Sequence, residues 1–267
     1  YNTDSTLVPM RLALDNLGTP ISGITDDING NTRSTSTPDM GAMEFTPSSV
    51  ALSGPYTVGT DGYFSTLQSV RNSLLATGVS GSVTFNIQAG TYNDPVVLGQ
   101  VYGASATNTV TFQSADANAD SVIWENTANS STTNYVLKLN GTDHITLKNI
   151  TFKNVGASYS QKIVLSGVTD SVSIDSSKFV GPVTNSNSAN YTSIYGSGAD
   201  ATGLKIKYSA FTDGGGYGIY LVGSSSSSPT GLEISGNTIT DTYGGIYAEY
   251  FNAPTIQGNT IKGSYMT

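Results

Sequence analysis

The sequence lacks cysteine entirely and has few charged residues for its length of 267. Without cysteine, the protein can have neither a disulfide scaffold nor a cysteine-ligated metal site. Its 11 lysine and arginine residues are outnumbered by 19 aspartate and glutamate residues, which gives a formal net charge of -8. Because nucleic-acid affinity depends on many basic contacts to phosphate, we expect no nucleic-acid partner. No apolar run approaches the roughly eighteen residues of a spanning helix, so we expect no membrane-spanning segment.

Serine, threonine and asparagine make up roughly a third of the chain. Their side chains compete with helical backbone hydrogen bonds and are better suited to strands and turns. Long charged side chains, which normally cover the outer face of helices, are scarce because only 11% of the residues are charged. The composition therefore predicts an all-β protein.

An apolar pattern returns along the second half of the chain, in which a leucine or isoleucine is followed five positions later by phenylalanine or isoleucine. The pairs are Leu147/Phe152, Ile174/Phe179, Ile206/Phe211, Ile234/Ile239 and Ile256/Ile261. Their starts are 27, 32, 28 and 22 residues apart, and a second short strand accompanies most units. A sandwich or barrel would show longer alternating strands at hairpin spacing. The repeat instead predicts a parallel β-solenoid, whose short strands bury a face only when they are stacked.

One turn position in these repeats carries small polar residues. It holds Ser177, Ser209, Asn237 and Asn259 in four successive units, whereas Ile150 interrupts the series in the first. Stacked hydroxyl and amide side chains at one turn position can bond to the backbone of neighbouring coils. We therefore expect a hydrogen-bonded column along the solenoid.

The open end of a solenoid needs a cap, because it exposes strand edges and an apolar core. Residues 62–77 are predicted to form a capping helix, since Phe64, Leu67, Val70 and Leu74 fall on one arc and Gly78 follows at the position of a C-terminal cap. Coils are expected from residue 83 onwards.

The helix, the strand that follows it and the repeats resemble the right-handed parallel β-helix proteins with pectate-lyase-like repeats, in the version found among secreted and cell-surface proteins of Bacteroidetes-type bacteria. Asp27-Ile-Asn-Gly30-Asn-Thr-Arg33 and the nearby Gly41-Ala-Met-Glu44 resemble the closing segment of another β-helix of that group. The resemblance implies that 1–46 end a preceding domain, that 47–60 are a linker, and that 61–267 form a second β-helix. Its coils, 83–267, would stop in mid-coil. Flanking domains of a longer chain are therefore expected as partners.

Two aspartates are the candidate metal ligands. Asp213 and Asp241 each follow the leading isoleucine of a repeat by seven residues, so they are expected on adjacent coils, about 4.8 Å apart. Stacked carboxylates can hold calcium. A structural turn column is the alternative, because the equivalent positions in other coils are Asn154, Gly181 and Gly263. No other cofactor is expected.

Three tyrosines are the candidate ligand-binding residues. Tyr195, Tyr220 and Tyr247 each follow an isoleucine of the second strand, and the period of two in a strand sends them outward if the isoleucines point inward. Tyrosine rings offer apolar area with a hydrogen-bonding tip, which suits sugars and protein partners. A ladder that only stabilises the sheet is the alternative.

Three functions remain open. The sequence favours a non-catalytic extracellular segment of a large surface or secreted protein, a stalk or adhesin that binds a polysaccharide or a cell-surface protein through these tyrosines. The resemblance implies secretion or a bacterial cell-surface location. The second function is a polysaccharide lyase or glycoside hydrolase acting on an acidic polysaccharide, with an active site at Asp213, Asp241 and nearby lysines, although the coils contain no arginine. The third is a self-associating structural filament.

Overall fold

The protein forms a right-handed parallel β-helix of about seven turns, as the sequence predicted. The computed structural model describes residues 14–44 and 50–263. Each turn adds one strand to each of three sheets, and every pairing between neighbouring strands of these sheets is parallel. Strands are numbered in chain order.

The first sheet has eight strands. They are β1 (Leu52–Val58), β2 (Val79–Ile87), β5 (Val110–Ser114), β8 (Ile145–Lys148), β11 (Ser173–Asp175), β14 (Lys205–Lys207), β17 (Glu233–Ser235) and β20 (Thr255–Gln257).

The second and third sheets have seven and six strands. The second comprises β3 (Gly90–Tyr92), β6 (Val122–Asn126), β9 (Thr151–Asn154), β12 (Lys178–Val180), β15 (Ala210–Thr212), β18 (Thr238–Thr240) and β21 (Thr260–Lys262). The third comprises β4 (Val96–Leu98), β7 (Leu137–Asn140), β10 (Ile163–Ser166), β13 (Ile194–Ser197), β16 (Gly214–Val222) and β19 (Thr242–Glu249).

The apolar repeat residues form vertical files inside the solenoid. Ile174 is the register partner of both Leu147 and Ile206 in the first sheet, and Phe179 is the partner of Phe152 in the second. All five side chains are completely buried. The repeat therefore predicted the register correctly, because inward positions in successive turns must meet the same core.

The polar turn column is confirmed as a ladder of side chain to backbone hydrogen bonds. The Ile150 amide donates to Ser177 Oγ at 3.3 Å, and the Ser177 amide donates to Ser209 Oγ at 3.1 Å. The Ser209 amide donates to Asn237 Oδ1 at 2.9 Å, and the Asn237 amide to Asn259 Oδ1 at 3.0 Å. The ladder satisfies buried N–H groups that the short strands leave unpaired.

Helix α1 (Leu67–Thr77) begins five residues later than the predicted range of 62–77. Thr66 is the N-cap: its hydroxyl accepts from the Ser69 amide at 3.0 Å, and Ser69 completes a capping box. Gly78 ends the helix with φ of 63°, as predicted. The buried face of α1 contacts β1 and β4, which places it over the N-terminal end of the solenoid. Among the described residues, no helix is long and apolar enough to cross a membrane.

Strand β1 corrects the predicted linker at 47–60. It pairs in parallel with β2, with Tyr56 opposite Phe85 and Val58 opposite Ile87, and Val58 is completely buried. The Gly54-Pro55 pair hid this strand in the sequence, because both residue types are disfavoured within strands. An edge position tolerates them, and the β-helix therefore starts about nine residues before the 61 expected.

Within residues 14–44, the Asp27 carboxylate organises a compact turn. It accepts hydrogen bonds from the Asn31 side chain at 2.9 Å and from the amides of Asn29, Asn31 and Glu44. These bonds, chiefly the one from the Asn31 side chain, lower the pKa of Asp27 to about 2. Arg33 forms an ion pair with Glu44 at 3.3 Å. Assignment of 1–46 to a preceding domain remains a prediction, and residues 1–13 and 45–46 of it lie outside the described residues.

Candidate functional site

The three candidate tyrosines form an outward column on the third sheet. Tyr195 is the register partner of Tyr220, and Tyr220 is the partner of Tyr247. The preceding residues Ile194 and Ile219 are completely buried, so the period of two directs the tyrosines away from the core. The structure thus brings the three side chains together in three successive turns.

The rings stack on one another along the solenoid axis. The centroids of Tyr195 and Tyr220 are 5.6 Å apart with planes at 11°, and those of Tyr220 and Tyr247 are 4.7 Å apart with planes at 8°. Both faces of the middle ring are therefore covered by its neighbours. The sequence predicted open ring area, but the strand spacing draws the rings into contact. At Tyr220 the surface available to a ligand is the ring edge and the hydroxyl.

A fourth tyrosine joins this column. The ring centroid of Tyr217 lies 5.4 Å from that of Tyr220 and 5.9 Å from that of Tyr247. Its ring covers Gly244 of the next turn, where an added Cβ would lie 2.5 Å from ring carbons. The register between β16 and β19 shifts just before Tyr217, and this irregularity determines its position. Tyr195, Tyr217, Tyr220 and Tyr247 are called the tyrosine face below.

A carboxylate lies at one end of the tyrosine face. The Tyr247 hydroxyl donates to Glu249 Oε2 at 2.7 Å. This hydrogen bond, together with desolvation and the negative charge of Glu249, raises the pKa of Tyr247 to about 12. The phenol is the hydrogen-bond donor and Glu249 the acceptor, so the end of the face carries the carboxylate's negative charge.

The tyrosine face is limited to the C-terminal turns of the described solenoid. In the same column, the earlier turns carry Val97, Lys138 and Val164. Val164 is the register partner of Tyr195, so Lys138 lies two turns away from the first tyrosine. The face is consequently bordered by an aliphatic residue on that side.

The candidate metal ligands Asp213 and Asp241 occupy equivalent turn positions directly after β15 and β18. Both have left-handed backbones, with φ of 51° and 59°. Aspartate tolerates this conformation better than most residues, so a turn requirement explains its presence at both positions. In 14–44 and 50–263, no group of three or more histidine, aspartate or glutamate residues is arranged to hold a metal. Calcium binding by this pair remains a prediction.

A second file of aspartates, missed in the sequence, follows the turns between the third and first sheets. The Asp170 amide donates to Asp143 Oδ1 at 2.8 Å, and the Thr202 amide donates to Asp170 Oδ1 at 2.9 Å. Desolvation and the nearby charges of Asp143 and Asp200 raise the pKa of Asp170. The bonds to amides give these side chains a structural role.

Lys162 is the most unusual ionisable residue of the described chain, and the sequence predicted no role for it. Its side chain is completely buried at the start of β10. Within the described residues, neither Lys162 Nζ nor the buried Ser160 Oγ has a hydrogen-bond partner. Desolvation lowers the pKa of Lys162 to about 7. Its spacing in the sequence resembles that of the other lysines, so no sequence signal distinguished it.

Comparison with solved structures shows a fold shared with a pectin methylesterase. Two structures of the pectin methylesterase from Aspergillus niger, one deglycosylated and one penultimately deglycosylated, superpose with TM-scores of 0.53 and 0.54. Their sequence identities are 16% and 15%, and the alignments cover 81% and 80% of this chain and 69% and 68% of the esterase. At such identity the likeness concerns the fold alone.

Comparison by sequence identifies the repeats themselves. No curated protein matches the chain. Residues 135–266, which contain all five repeat pairs and the whole tyrosine face, match the family model described as a right handed beta helix region.

Proposed function

We propose that this β-helix binds a polysaccharide through the tyrosine face. The observation that supports the proposal is the in-register column of Tyr195, Tyr220 and Tyr247 on one outward face. Buried aromatic residues contribute to a core, but these rings are stacked outside it, where their edges and hydroxyls remain available. Tyrosine combines apolar contact area with a hydrogen-bonding tip, as ligands with many hydroxyl groups require.

The spacing of the rings favours an extended polymer over a single sugar. Tyr195, Tyr220 and Tyr247 repeat at centroid separations of 5.6 and 4.7 Å along the solenoid axis. A polysaccharide lying along this axis meets an equivalent phenol at each turn, so that several weak contacts add up. Contacts are made to ring edges and hydroxyls, because the stacked faces are covered.

The charge of the protein favours a neutral polysaccharide. The net charge is -8, and Glu249 adds a carboxylate at the end of the tyrosine face. A polyanionic chain would be repelled from this surface, and the repulsion would weaken with salt. Neutral glycans are therefore the expected ligand class.

The proposed setting is extracellular, in a non-catalytic stalk or adhesin segment of a secreted or cell-surface protein. The absence of cysteine and the low charge suit a chain stabilised by stacked turns. Binding to a glycan through a regular outer face requires no catalytic group, in keeping with this role.

A polysaccharide-acting enzyme is the second candidate. The fold shared with pectin methylesterase and the Glu249 carboxylate beside Tyr247 favour it. Turnover of a polysaccharide panel, detected as released methanol, new reducing ends or new double bonds, would support this candidate if Glu249→Gln abolished it. A third candidate is a self-associating structural filament. Concentration-dependent sedimentation tests it.

A glycan array followed by calorimetry tests the binding proposal. We expect neutral polysaccharides to bind and Tyr220→Ala to reduce affinity about tenfold or more, since it removes the centre of the stack. Tyr195→Phe keeps the ring and removes only the hydroxyl, so it should have a smaller effect. Tyr208→Ala is the matched control, because Tyr208 is 66% exposed and lies outside the tyrosine face. Binding that is equally weakened by Tyr208→Ala, or no binding at all, would contradict the proposal.

A further inference from the structure

The Lys162 amine lies in a dry corner of the solenoid. Its side chain has no exposed surface, and among the described residues both its Nζ and the neighbouring Ser160 Oγ lack a hydrogen-bond partner. Burying an unpaired ammonium is very unfavourable, whereas a neutral amine costs much less. The corner thus favours the uncharged lysine.

Two glycines make room for this amine. An added Cβ at Gly181 would lie 2.6 Å from Lys162 Nζ, and one at Gly214 would lie 3.6 Å from it. The Asp213 carbonyl oxygen would lie 2.5 Å from the same added Cβ at Gly181. The Nζ atom therefore occupies the space that side chains at these two positions would fill.

A polar loop, residues 182–193, covers the corner from outside. The Gly216 amide donates to the Ser186 carbonyl at 2.6 Å, and the Tyr217 amide donates to Thr192 Oγ1 at 3.4 Å. An added Cβ at Gly215 would clash with the Ser186 carbonyl, so the glycine triplet allows the loop to approach. Val183 is 81% exposed. The Ser160 and Lys162 amides also donate to the Asn190 and Ser193 carbonyls, so opening the loop breaks hydrogen bonds that water can replace.

Several ionisable groups lie on the described segments around the corner. They are Lys138 of β7, Lys178 of β12, Tyr191 of the loop, Tyr195 of β13, Asp213 of the turn before β16, and Tyr217 and Tyr220 of β16. Lys178 is engaged in a surface ion pair with Asp120, and the Tyr191 hydroxyl donates to the Ala157 carbonyl, outside the loop, at 2.7 Å. Asp213 is the carboxylate among them, and it is half-buried.

We propose that Lys162 and the 182–193 loop form a proton-dependent latch, in which the loop is closed over the uncharged amine and opening is coupled to uptake of one proton. Water then solvates the ammonium. Because burial lowers the pKa of Lys162 from 10.5 to about 7, the open form binds the proton more strongly. The opening constant should consequently rise about tenfold for each unit of decreasing pH between about 10 and 7, and level off below.

The latch also bears on the tyrosine face. Tyr217 directly follows the glycine triplet and bonds to Thr192 of the loop, so opening the loop releases one member of the face. Ligand affinity should then fall as pH decreases towards 7. This consequence rests on the proposed function, whereas the latch itself does not.

Hydrogen exchange of the intact protein tests the latch without any ligand. Opening constants of amides in 182–193, corrected for intrinsic exchange, should be about a hundredfold larger at about pH 7 than at about pH 9 in the wild type. Lys162→Met should remove this dependence. Lys138→Met, on the neighbouring strand, should retain it. Opening constants that do not change with pH, or that change equally in Lys162→Met, would overturn the proposal.

A direct titration covers the case in which Lys162→Met fails to fold. The carbon signals next to each lysine amine of the wild type report its protonation by NMR. One lysine should titrate near pH 7, and a titration of all lysines near 10.5 would overturn the latch. If the latch is confirmed while no glycan binds, only the proposed function fails.

Discussion

Phe179 and Phe211 stack inside the solenoid with ring centroids 4.5 Å apart and planes at 6°, although they are 32 positions apart in the sequence. Both are completely buried. Phe152 continues the stack at 5.5 Å from Phe179. The ring of Phe179, in the centre of the stack, thus contacts rings from the turns on both sides.

Removing this central ring should destabilise several turns at once. We expect Phe179→Ala to lower the free energy of unfolding by about 3–5 kcal/mol, because it leaves a cavity between two rings. Chemical denaturation measures the loss. Val180→Ala is the control, since Val180 is half-buried and its side chain lies on the opposite face of the strand; its cost should stay below about 1 kcal/mol. Equal losses for the two variants would contradict a stacked core.

The polar turn ladder predicts a difference between two substitutions of Asn237. Its Oδ1 accepts from the Ser209 amide at 2.9 Å, and its Nδ2 donates to the Ile206 carbonyl at 2.8 Å. Asn237→Ala leaves the buried Ser209 amide without this acceptor and removes the bond to the Ile206 carbonyl, so it should cost about 2–4 kcal/mol of stability. Asn237→Ser should cost less, because serine fills the same position in two earlier turns. A serine variant as unstable as the alanine variant would show that the hydroxyl cannot replace the amide.

The aspartate file predicts a stabilising substitution. Asp170 has a raised pKa in the folded state, so its ionisation costs folding free energy as pH rises above the unfolded value near 3.8. Asp170→Asn retains an acceptor for the Thr202 amide and removes the charge. It should stabilise the protein at neutral pH by at most about 1 kcal/mol, given surface screening. Thermal unfolding at about pH 7 and about pH 3 checks this, and a gain that persists at the lower pH would exclude a charge effect.

Gly244 should be required for the position of Tyr217. An alanine methyl there would lie 2.5 Å from ring carbons, so Gly244→Ala must displace the ring, at a cost of about 1–3 kcal/mol. Near-ultraviolet circular dichroism reports the altered tyrosine packing. Gly99→Ala is the control, because the nearest atom to its added Cβ is 3.8 Å away. Unchanged spectra in both variants would contradict the packing of Tyr217.

The hydrogen bond between Tyr247 and Glu249 predicts an unusual phenol titration. One tyrosine should ionise near pH 12, and Glu249→Gln should move this step towards 10, because the carboxylate that opposes phenolate formation is gone. Phenolate absorbance during alkaline titration measures both. If the titration step near pH 12 persisted in Glu249→Gln, the raised tyrosine pKa would have another cause.

Much of the fold was predictable because inward positions recur with a period of two in each strand and once in each turn. Ile174 and Ile206 must therefore meet the same core, whatever the intervening loop contains. The start of the helix was less predictable, since Phe64 continues the apolar arc while Thr66 supplies the cap. Strand β1 was missed because glycine and proline lie within it.

The details of the site depend on contacts between residues distant in the sequence. The outward direction of Tyr220 followed from Ile219, but the covering of its ring depends on how closely the turns stack. Tyr217 joins the face through a local register shift. The burial of Lys162 depends on a loop that closes over it, which no pattern in its own strand records.

In the ladder of turn side chains, one side chain of a turn accepts a hydrogen bond from a backbone amide of the preceding turn. Ser177, Ser209, Asn237 and Asn259 fulfil the same task despite different chemistry and turn lengths that vary between them. Evolution can therefore duplicate or delete a whole turn without redesigning its neighbours, provided that a short polar side chain is kept at this one corner. Such modular growth allows solenoids of different length to follow one structural rule.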